Sequence, residues 1–148
     1  MKKLLFIFLI SMSSYSQIKI DDIGDNWKGK MELAIDLIKT HDPIAYNILI
    51  NNCNHISFWM ANFSSTQDGS TILVSVKDIK LNSVNNLACV LVHESYHLKI
   101  LNEKITLSPN DEESICYKYE YNFLKKLPNV EEWLLKFILI ESNKTVFY

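Results

Sequence analysis

The chain has 148 residues, and its 15 basic and 17 acidic side chains give a net charge of −2 at pH 7. A balance this even provides no strongly basic surface, so we expect neither a nucleic acid nor an acidic membrane surface as a partner. The length suits one domain with a sizeable core rather than a multidomain protein.

The first residues have the pattern of a secretory signal peptide. Met1-Lys2-Lys3 is a short basic start, and Leu4 to Ile10 is an apolar run too short to span a bilayer. Ser14-Tyr15-Ser16 is an acceptable small-x-small cleavage sequence. We therefore expect residues 1–16 to be a signal peptide and residues 17–148 to be a single exported domain, secreted or periplasmic, with no stable membrane anchor.

Cys53, Cys89 and Cys116 give the chain an odd number of cysteines. Cys89 and Cys116 each lie among apolar residues at helical spacing, which is typical of small buried core residues. We therefore do not expect a disulfide framework, even in an exported protein.

Two helices are predicted in the first third of the chain. Apolar residues recur at helical spacing from Trp27 to Lys39. Asp42 and Pro43 then interrupt this pattern. Asp42 suits the N-cap, and Pro43 the first position, of a short second helix that continues through Ile50.

An antiparallel hairpin is predicted next. Ile56 to Phe63 is apolar and aromatic, and Thr71 to Val76 is a second run rich in β-branched residues. Gln67-Asp68-Gly69-Ser70, between them, contains the Asp-Gly pair that is typical of a hairpin turn. We expect the two runs to pair as one small hairpin.

Three further helices are predicted in the second half. The first is Ser83 to Leu101. The second begins with Ser108 as N-cap and Pro109 at its first position, and it runs to about Leu127. The third, Val130 to Glu141, is amphipathic and suited to packing on the core. The predicted fold is therefore α+β, a small antiparallel hairpin packed on several helices.

An HExxH pentad, His93-Glu94-Ser95-Tyr96-His97, lies inside the first of these three helices. Residues four apart on a helix share a face at about 5–6 Å, so the two imidazoles can bind one metal ion. Glu94 projects about 100° further round the helix and can accept a proton from an activated water without being a ligand. This arrangement is typical of zinc hydrolases.

A catalytic zinc site usually has three protein ligands, so a third donor is needed. Glu103 follows His97 at the spacing of the third ligand in metzincins, but Ile100 stands where those proteins have a helix-breaking glycine. The next helix offers Glu112 and Glu113 instead. Periodicity alone slightly favours Glu112, which lies nearer the centre of the apolar stripe of that helix.

Two segments resemble gluzincin metallopeptidases. Val92 to His97 is similar to the (L/V)-V-H-E-x-x-H helix of that family, in which a following helix supplies a glutamate as the third zinc ligand. In several branches the second helix reads E-x-x-A-D, and Glu113 to Tyr117 is similar, with Cys116 at the small position. Tyr117 replaces the acid that orients the first histidine, and Glu120, one turn further on, is a substitute for it.

The resemblance implies a zincin-like fold and an exported zinc metallopeptidase. His93, His97 and Glu113 would bind Zn²⁺, and Glu94 would be the general base in hydrolysis of a peptide or protein substrate. An edge strand before the HExxH helix would hold the substrate as an added β-strand. The candidate donors to the oxyanion are four neighbouring tyrosines, Tyr96, Tyr117, Tyr119 and Tyr121.

The alternative is a non-catalytic exported protein that binds zinc structurally or acts as an interaction module. In that case a fourth protein ligand would close the metal site, and Cys89 or Cys116 could provide it. Glu94 has no role in a purely structural site, which favours the peptidase.

Overall fold

Six helices and a four-stranded sheet make up residues 18–144, the part of the chain that the computed structural model describes. The predicted signal peptide, residues 1–16, lies outside these residues. The mixed content confirms the α+β class. In chain order the elements are β1 Lys19–Ile20, α1 Trp27–His41, α2 Pro43–Asn52, β2 His55–Trp59, β3 Ser65–Gln67, β4 Thr71–Ser75, α3 Val76–Leu81, α4 Val84–Asn102, α5 Pro109–Leu124 and α6 Glu132–Ser142.

The sheet is mixed, with the strand order β1-β2-β4-β3. β2 runs parallel to both β1 and β4, and its register with β4 extends from His55 opposite Thr71 to Trp59 opposite Ser75. β3 is antiparallel to β4 and is the terminal strand on that side. The prediction that Ile56–Phe63 and Thr71–Val76 form one antiparallel hairpin is therefore wrong.

The predicted hairpin turn exists, but it joins β4 to the short strand β3 instead of to β2. The difference arises at residues 60–64, a loop that separates β2 from β3. The indole nitrogen of Trp59 donates to the carbonyl of Phe63 at 2.9 Å, and the Ser75 hydroxyl donates to the carbonyl of Ala61 at 2.7 Å. These bonds satisfy two carbonyl groups of the loop without a sheet partner, and the apolar run that looks like a continuing strand leaves the sheet here.

α4 is the central helix and packs against α1, α2, α5 and the sheet. Ser83 caps it by accepting a hydrogen bond from the backbone nitrogen of Asn86 at 3.3 Å. Its buried residues point in several directions around the helix axis: Leu87, Ala88, Cys89, Leu91, Val92, Leu98 and Ile100. Neighbours on all these sides hold the helix in place, and the helix therefore offers a rigid support for the histidines.

α5 lies between α4 and α6. It begins at Pro109, where Ser108 accepts a hydrogen bond from the backbone nitrogen of Asp111 at 3.2 Å, and this N-cap is as predicted. The helix ends at Leu124, somewhat before the predicted Leu127. Within residues 18–144, no helix combines the length and apolarity needed to cross a bilayer.

Candidate metal centre

His93 and His97 lie one turn apart on α4, and both rings turn towards α5. Their Nε2 atoms are 3.1 Å apart, and their ring centroids are 4.9 Å apart. His93 is buried and His97 is partly buried. The pentad therefore brings two imidazole donors to one point.

Glu113 lies in the first turns of α5, and its carboxylate comes close to the same two Nε2 atoms. Its Oε2 atom is 3.3 Å from His93 Nε2, and its Oε1 atom is 3.4 Å from His97 Nε2. Donors about 2.0–2.1 Å from a tetrahedral zinc ion stand roughly 3.3 Å from one another. The Nε2–Nε2 separation of 3.1 Å is close to this spacing, and each carboxylate oxygen of Glu113 lies at a similar distance, 3.3 or 3.4 Å, from one of the two nitrogens.

The other nitrogen of each histidine is held by a carboxylate. His93 Nδ1 donates to Glu120 Oε2 at 3.0 Å, and His97 Nδ1 donates to Glu112 Oε1 at 2.7 Å. These bonds place the imidazole protons on Nδ1, so the lone pairs of the two Nε2 atoms face each other. The two Nε2 lone pairs and the nearby Glu113 carboxylate repel one another unless a positive charge lies between them.

In the metal-free site the pKa values of both histidines are raised, which favours their positively charged forms. Burial lowers the pKa of His93, but its hydrogen bonds with Glu113 and Glu120 outweigh burial and raise that pKa to about 10. The pKa of His97 is also raised, since its bonds with Glu113 and Glu112 outweigh its burial. Hydrogen bonds from both histidines hold the pKa of Glu113 far below its usual range. In the free chain protons supply the positive charge, and a divalent cation can supply it in their place.

Glu94 follows His93 on α4 and is buried, but it lines the cleft space around the histidines. Burial raises the pKa of its carboxyl, although both histidines oppose this effect. A carboxylate with a raised pKa holds a proton more readily at neutral pH than an ordinary glutamate does. The residue has the position and the chemistry of a proton acceptor beside the centre.

Of the three glutamates considered from sequence, the structure brings Glu113 to the two Nε2 atoms. Glu103 caps the C-terminal end of α4 and pairs with Lys99 at 2.5 Å, outside the cluster. Glu112 reaches the far side of His97, and this orienting contact was not predicted. The signal for it was present in the sequence, because Glu112 and Glu120 are eight residues apart and share one face of α5.

Cys116 is a further donor near the histidines. Its sulfur and one nitrogen of each of His93 and His97 lie within 4.8 Å of one another, so these three side chains could hold a metal ion. In sequence, Cys116 lies midway between Glu112 and Glu120. It shares the face of α5 with these two residues, whose carboxylates bind the histidine Nδ1 atoms. Burial raises the pKa of its thiol well above the usual range, which keeps the sulfur protonated. Glu113 offers a carboxylate to the same two Nε2 atoms.

Two clefts meet at the centre. The larger, about 450 Å³, extends towards α6, and the smaller, about 330 Å³, extends along β3. Both are lined by Phe63, Ser64, Glu94 and Glu113. A chain-like ligand lying across the centre can therefore occupy both clefts at once.

The chain has no significant match to a protein-family model, to a curated protein or to a solved structure. The likeness of α4 and α5 to gluzincins therefore stays a resemblance of motifs. The function has to be argued from the side chains around His93 and His97.

Proposed function

We propose that this chain is a zinc-dependent metallopeptidase with a zincin-like site, exported as its N-terminal sequence predicts. The observation that carries the proposal is the convergence of His93 Nε2, His97 Nε2 and the Glu113 carboxylate at 3.1 to 3.4 Å. Carboxylates on both Nδ1 atoms support it, because zinc-binding histidines usually donate their second N–H to such groups.

His93, His97 and Glu113 would hold the metal and leave it open to a water molecule. Zinc held by these residues would supply Lewis acidity, which would lower the pKa of a bound water from ~15.7 towards ~7. Glu94 accepts a proton on its carboxylate as water attacks the peptide carbonyl, and it then delivers that proton to the leaving amine.

Tyr117 is the best placed of the four candidate oxyanion donors. It lines the larger cleft, and its ring packs edge-on against His93 at 4.5 Å between centroids. Burial and the neighbouring Glu120 raise its pKa, so the hydroxyl stays protonated and can donate. The other three have different neighbours: Tyr96 stacks on Tyr119 at 3.7 Å, and Tyr121 lies under the Lys125 ammonium.

The edge of the sheet supports a peptide as the substrate. β3 is the terminal strand beside β4, and Ser65 and Thr66 line the smaller cleft together with Glu94 and His97. An extended peptide can pair with the outer edge of such a strand by backbone hydrogen bonds. Its carbonyl groups would then pass next to the centre.

The decisive experiment replaces Glu94 by Gln in zinc-loaded protein. This substitution keeps the shape and the hydrogen bonding of the side chain but removes the proton acceptor. Cleavage of an extended peptide library should fall by ~10²–10⁴-fold. Zinc content should stay at one ion per chain, whereas it should be lost in His97→Ala. Full peptidase activity in Glu94→Gln would refute the mechanism.

A second candidate, a closed structural zinc site without catalysis, is favoured by one observation, the buried sulfur of Cys116 close to both histidines. Cys116→Ser separates the two functions. A structural site with cysteine as a ligand would lose zinc in this variant, and its cobalt-substituted form would show a thiolate charge-transfer band that the variant lacks. The peptidase should retain its zinc and show no such band in either form.

A further inference from the structure

α6 carries two apolar faces, and only one of them is buried. Leu134 and Ile138 lie in the core, and the helix packs mainly on α5. On the other side Trp133, Phe137 and Ile140 are 59%, 49% and 60% exposed. At about 100° per residue these three side chains lie within roughly 60° of one another around the helix axis. They form one apolar line on the exposed side of α6, named here the outer stripe.

The spacing of the outer stripe is that of a helix that packs along another helix. Its members are separated by four and then three residues, which is the repeat of the a and d positions in paired helices. Lys144, four residues after Ile140, continues the same line just past the end of the helix at Ser142. The stripe is therefore apolar along most of its length, with one ammonium group at its C-terminal end.

The charges beside the outer stripe are balanced. Lys136 pairs with Glu132 at 2.7 Å, and Lys144 pairs with Glu141. A helix that lies on a membrane surface is usually rich in Lys and Arg on its polar face, whereas these two bases are matched by two acids. The charge pattern therefore favours a protein over a lipid surface as the partner of this face.

The outer stripe is complementary to a second copy of itself. Two α6 helices can lie antiparallel with Phe137 of each opposite Ile140 of the other. The same register brings Trp133 opposite Lys144, whose ammonium can then lie over the indole ring as a cation–π pair. Glu132, with a side chain that is 81% exposed, precedes that tryptophan and adds an opposite charge. Antiparallel pairing also places opposite ends of the two helix dipoles side by side.

We infer that the outer stripe is the interface of a homodimer in which α6 pairs antiparallel with α6 of a second copy. Each contact then occurs twice about a two-fold axis, as in most dimers of identical chains. The exposed parts of the three apolar side chains amount to roughly 300 Å² per copy. With the flanking side chains, the pair would bury about 1,000 Å² in total, which is at the low end for specific interfaces. We therefore expect a weak dimer, with a dissociation constant on the order of 10–100 µM.

The inference does not depend on the proposed function, because no residue of the outer stripe is among the proposed metal ligands or the proton acceptor. Phe137 also lines the larger cleft, so the second copy would lie beside the rim of that cleft.

Sedimentation velocity of the full chain from ~1 to ~300 µM tests the inference. We expect a monomer at the lowest concentration and mostly dimer at the highest. Phe137→Glu, and independently Ile140→Lys, puts a charge into the interface twice and should weaken association at least ~30-fold. The matched control is Leu33→Glu, which changes a 58% exposed apolar residue on α1 and should leave association unchanged.

A mixture of the two α6 variants tests the antiparallel register itself. The carboxylate introduced in Phe137→Glu would face the ammonium introduced in Ile140→Lys, while the second Phe137–Ile140 contact stays apolar. An equimolar mixture should therefore form a mixed dimer, although neither variant pairs with itself.

A chain that stays monomeric up to ~300 µM would overturn the inference, as would undiminished association in both variants or an equal loss in Leu33→Glu. Failure of the mixture to associate would overturn the antiparallel pairing. A monomer that floats with phosphatidylcholine–phosphatidylglycerol vesicles, and ceases to do so in Phe137→Glu, would assign the stripe to a lipid surface instead. Thermal melting at ~1 µM identifies any variant that fails to fold, and Trp133→Ser then takes its place in the comparison.

Discussion

Glu120 shows how a single side chain can orient a candidate metal site without being one of its donors. It is buried, and its carboxylate accepts the Nδ1 proton of His93 at 3.0 Å. This contact fixes the ring orientation and directs Nε2 towards His97 and Glu113. Burying a carboxylate is costly unless it is paired, so its position here is explained by the histidine it binds.

We expect Glu120→Gln to weaken zinc binding by ~10–100-fold, because a neutral amide holds the imidazole less firmly and makes it a weaker donor. Glu113→Gln should weaken binding more, and the control Glu103→Gln should leave it unchanged. Competition with a chromogenic chelator measures all three. A larger loss in Glu103→Gln than in Glu113→Gln would show that the third ligand has been misassigned.

The sequence predicted five of the six described helices, because several of their start signals are local, but it did not predict α3. Asp42, Ser83 and Ser108 each cap the helix that follows, as expected from residue type and spacing. The parallel pairing of β2 with β4 could not be predicted, since it depends on the loop at residues 60–64 and on contacts made far along the chain.

The candidate site, like the fold, could be predicted only in part from the sequence. His93, Glu94 and His97 follow from a motif, whereas Glu112 and Glu113 are adjacent in sequence and have similar helical positions. Their different roles depend on how α5 is rotated against α4. This rotation is set by how α4 and α5 pack together. The helical periodicity of the sequence predicts it only to within about one residue.

The N-cap of α5 links the stability of a helix to the metal site. Ser108→Ala removes the bond to the backbone nitrogen of Asp111 and should cost about 1 kcal/mol of unfolding free energy in metal-free protein. Because Glu112 and Glu113 follow within the first turns, fraying there should also weaken zinc binding. Ser83→Ala is the matched control. It removes the cap of α4, well before His93, and should cost about as much stability with no change in zinc affinity. Equal zinc affinity in the two variants would contradict this link.

In the molecule as a whole, the segment that begins at residue 18 is tied to the sheet by β1 and by one carboxylate. Asp21 accepts from the hydroxyl of Ser57 at 2.6 Å and contacts His55 Nε2 at 2.9 Å. Both partners lie on β2, so these bonds join the start of the described chain to the middle of the sheet. The hydrogen bond from Ser57, followed by that from His55, lowers the pKa of Asp21.

We therefore expect acid to weaken this link. A carboxyl whose folded-state pKa lies below its unfolded value, near ~4, stabilises the fold fully above that value and loses the effect as pH falls through the folded-state pKa. Asp21→Asn should lower the unfolding free energy by about 1 kcal/mol at pH 7, and the difference should shrink below about pH 4. Urea unfolding at several pH values measures it. A difference that grows on acidification would contradict this assignment.

The side chains that build the candidate metal centre all come from α4 and α5, and these two helices also supply most of the lining of both clefts; the loop at residues 60–64, β3, α3 and α6 supply the rest. Part of the cleft wall is therefore carried by stretches of the chain that contribute nothing to the candidate metal centre. In evolutionary terms, a replacement of Phe63 or Phe137 can reshape the cleft wall while the hydrogen bonds around His93 and His97 stay as they are. The two helices α4 and α5 can stay unchanged during evolution while the residues around them change to suit different ligands.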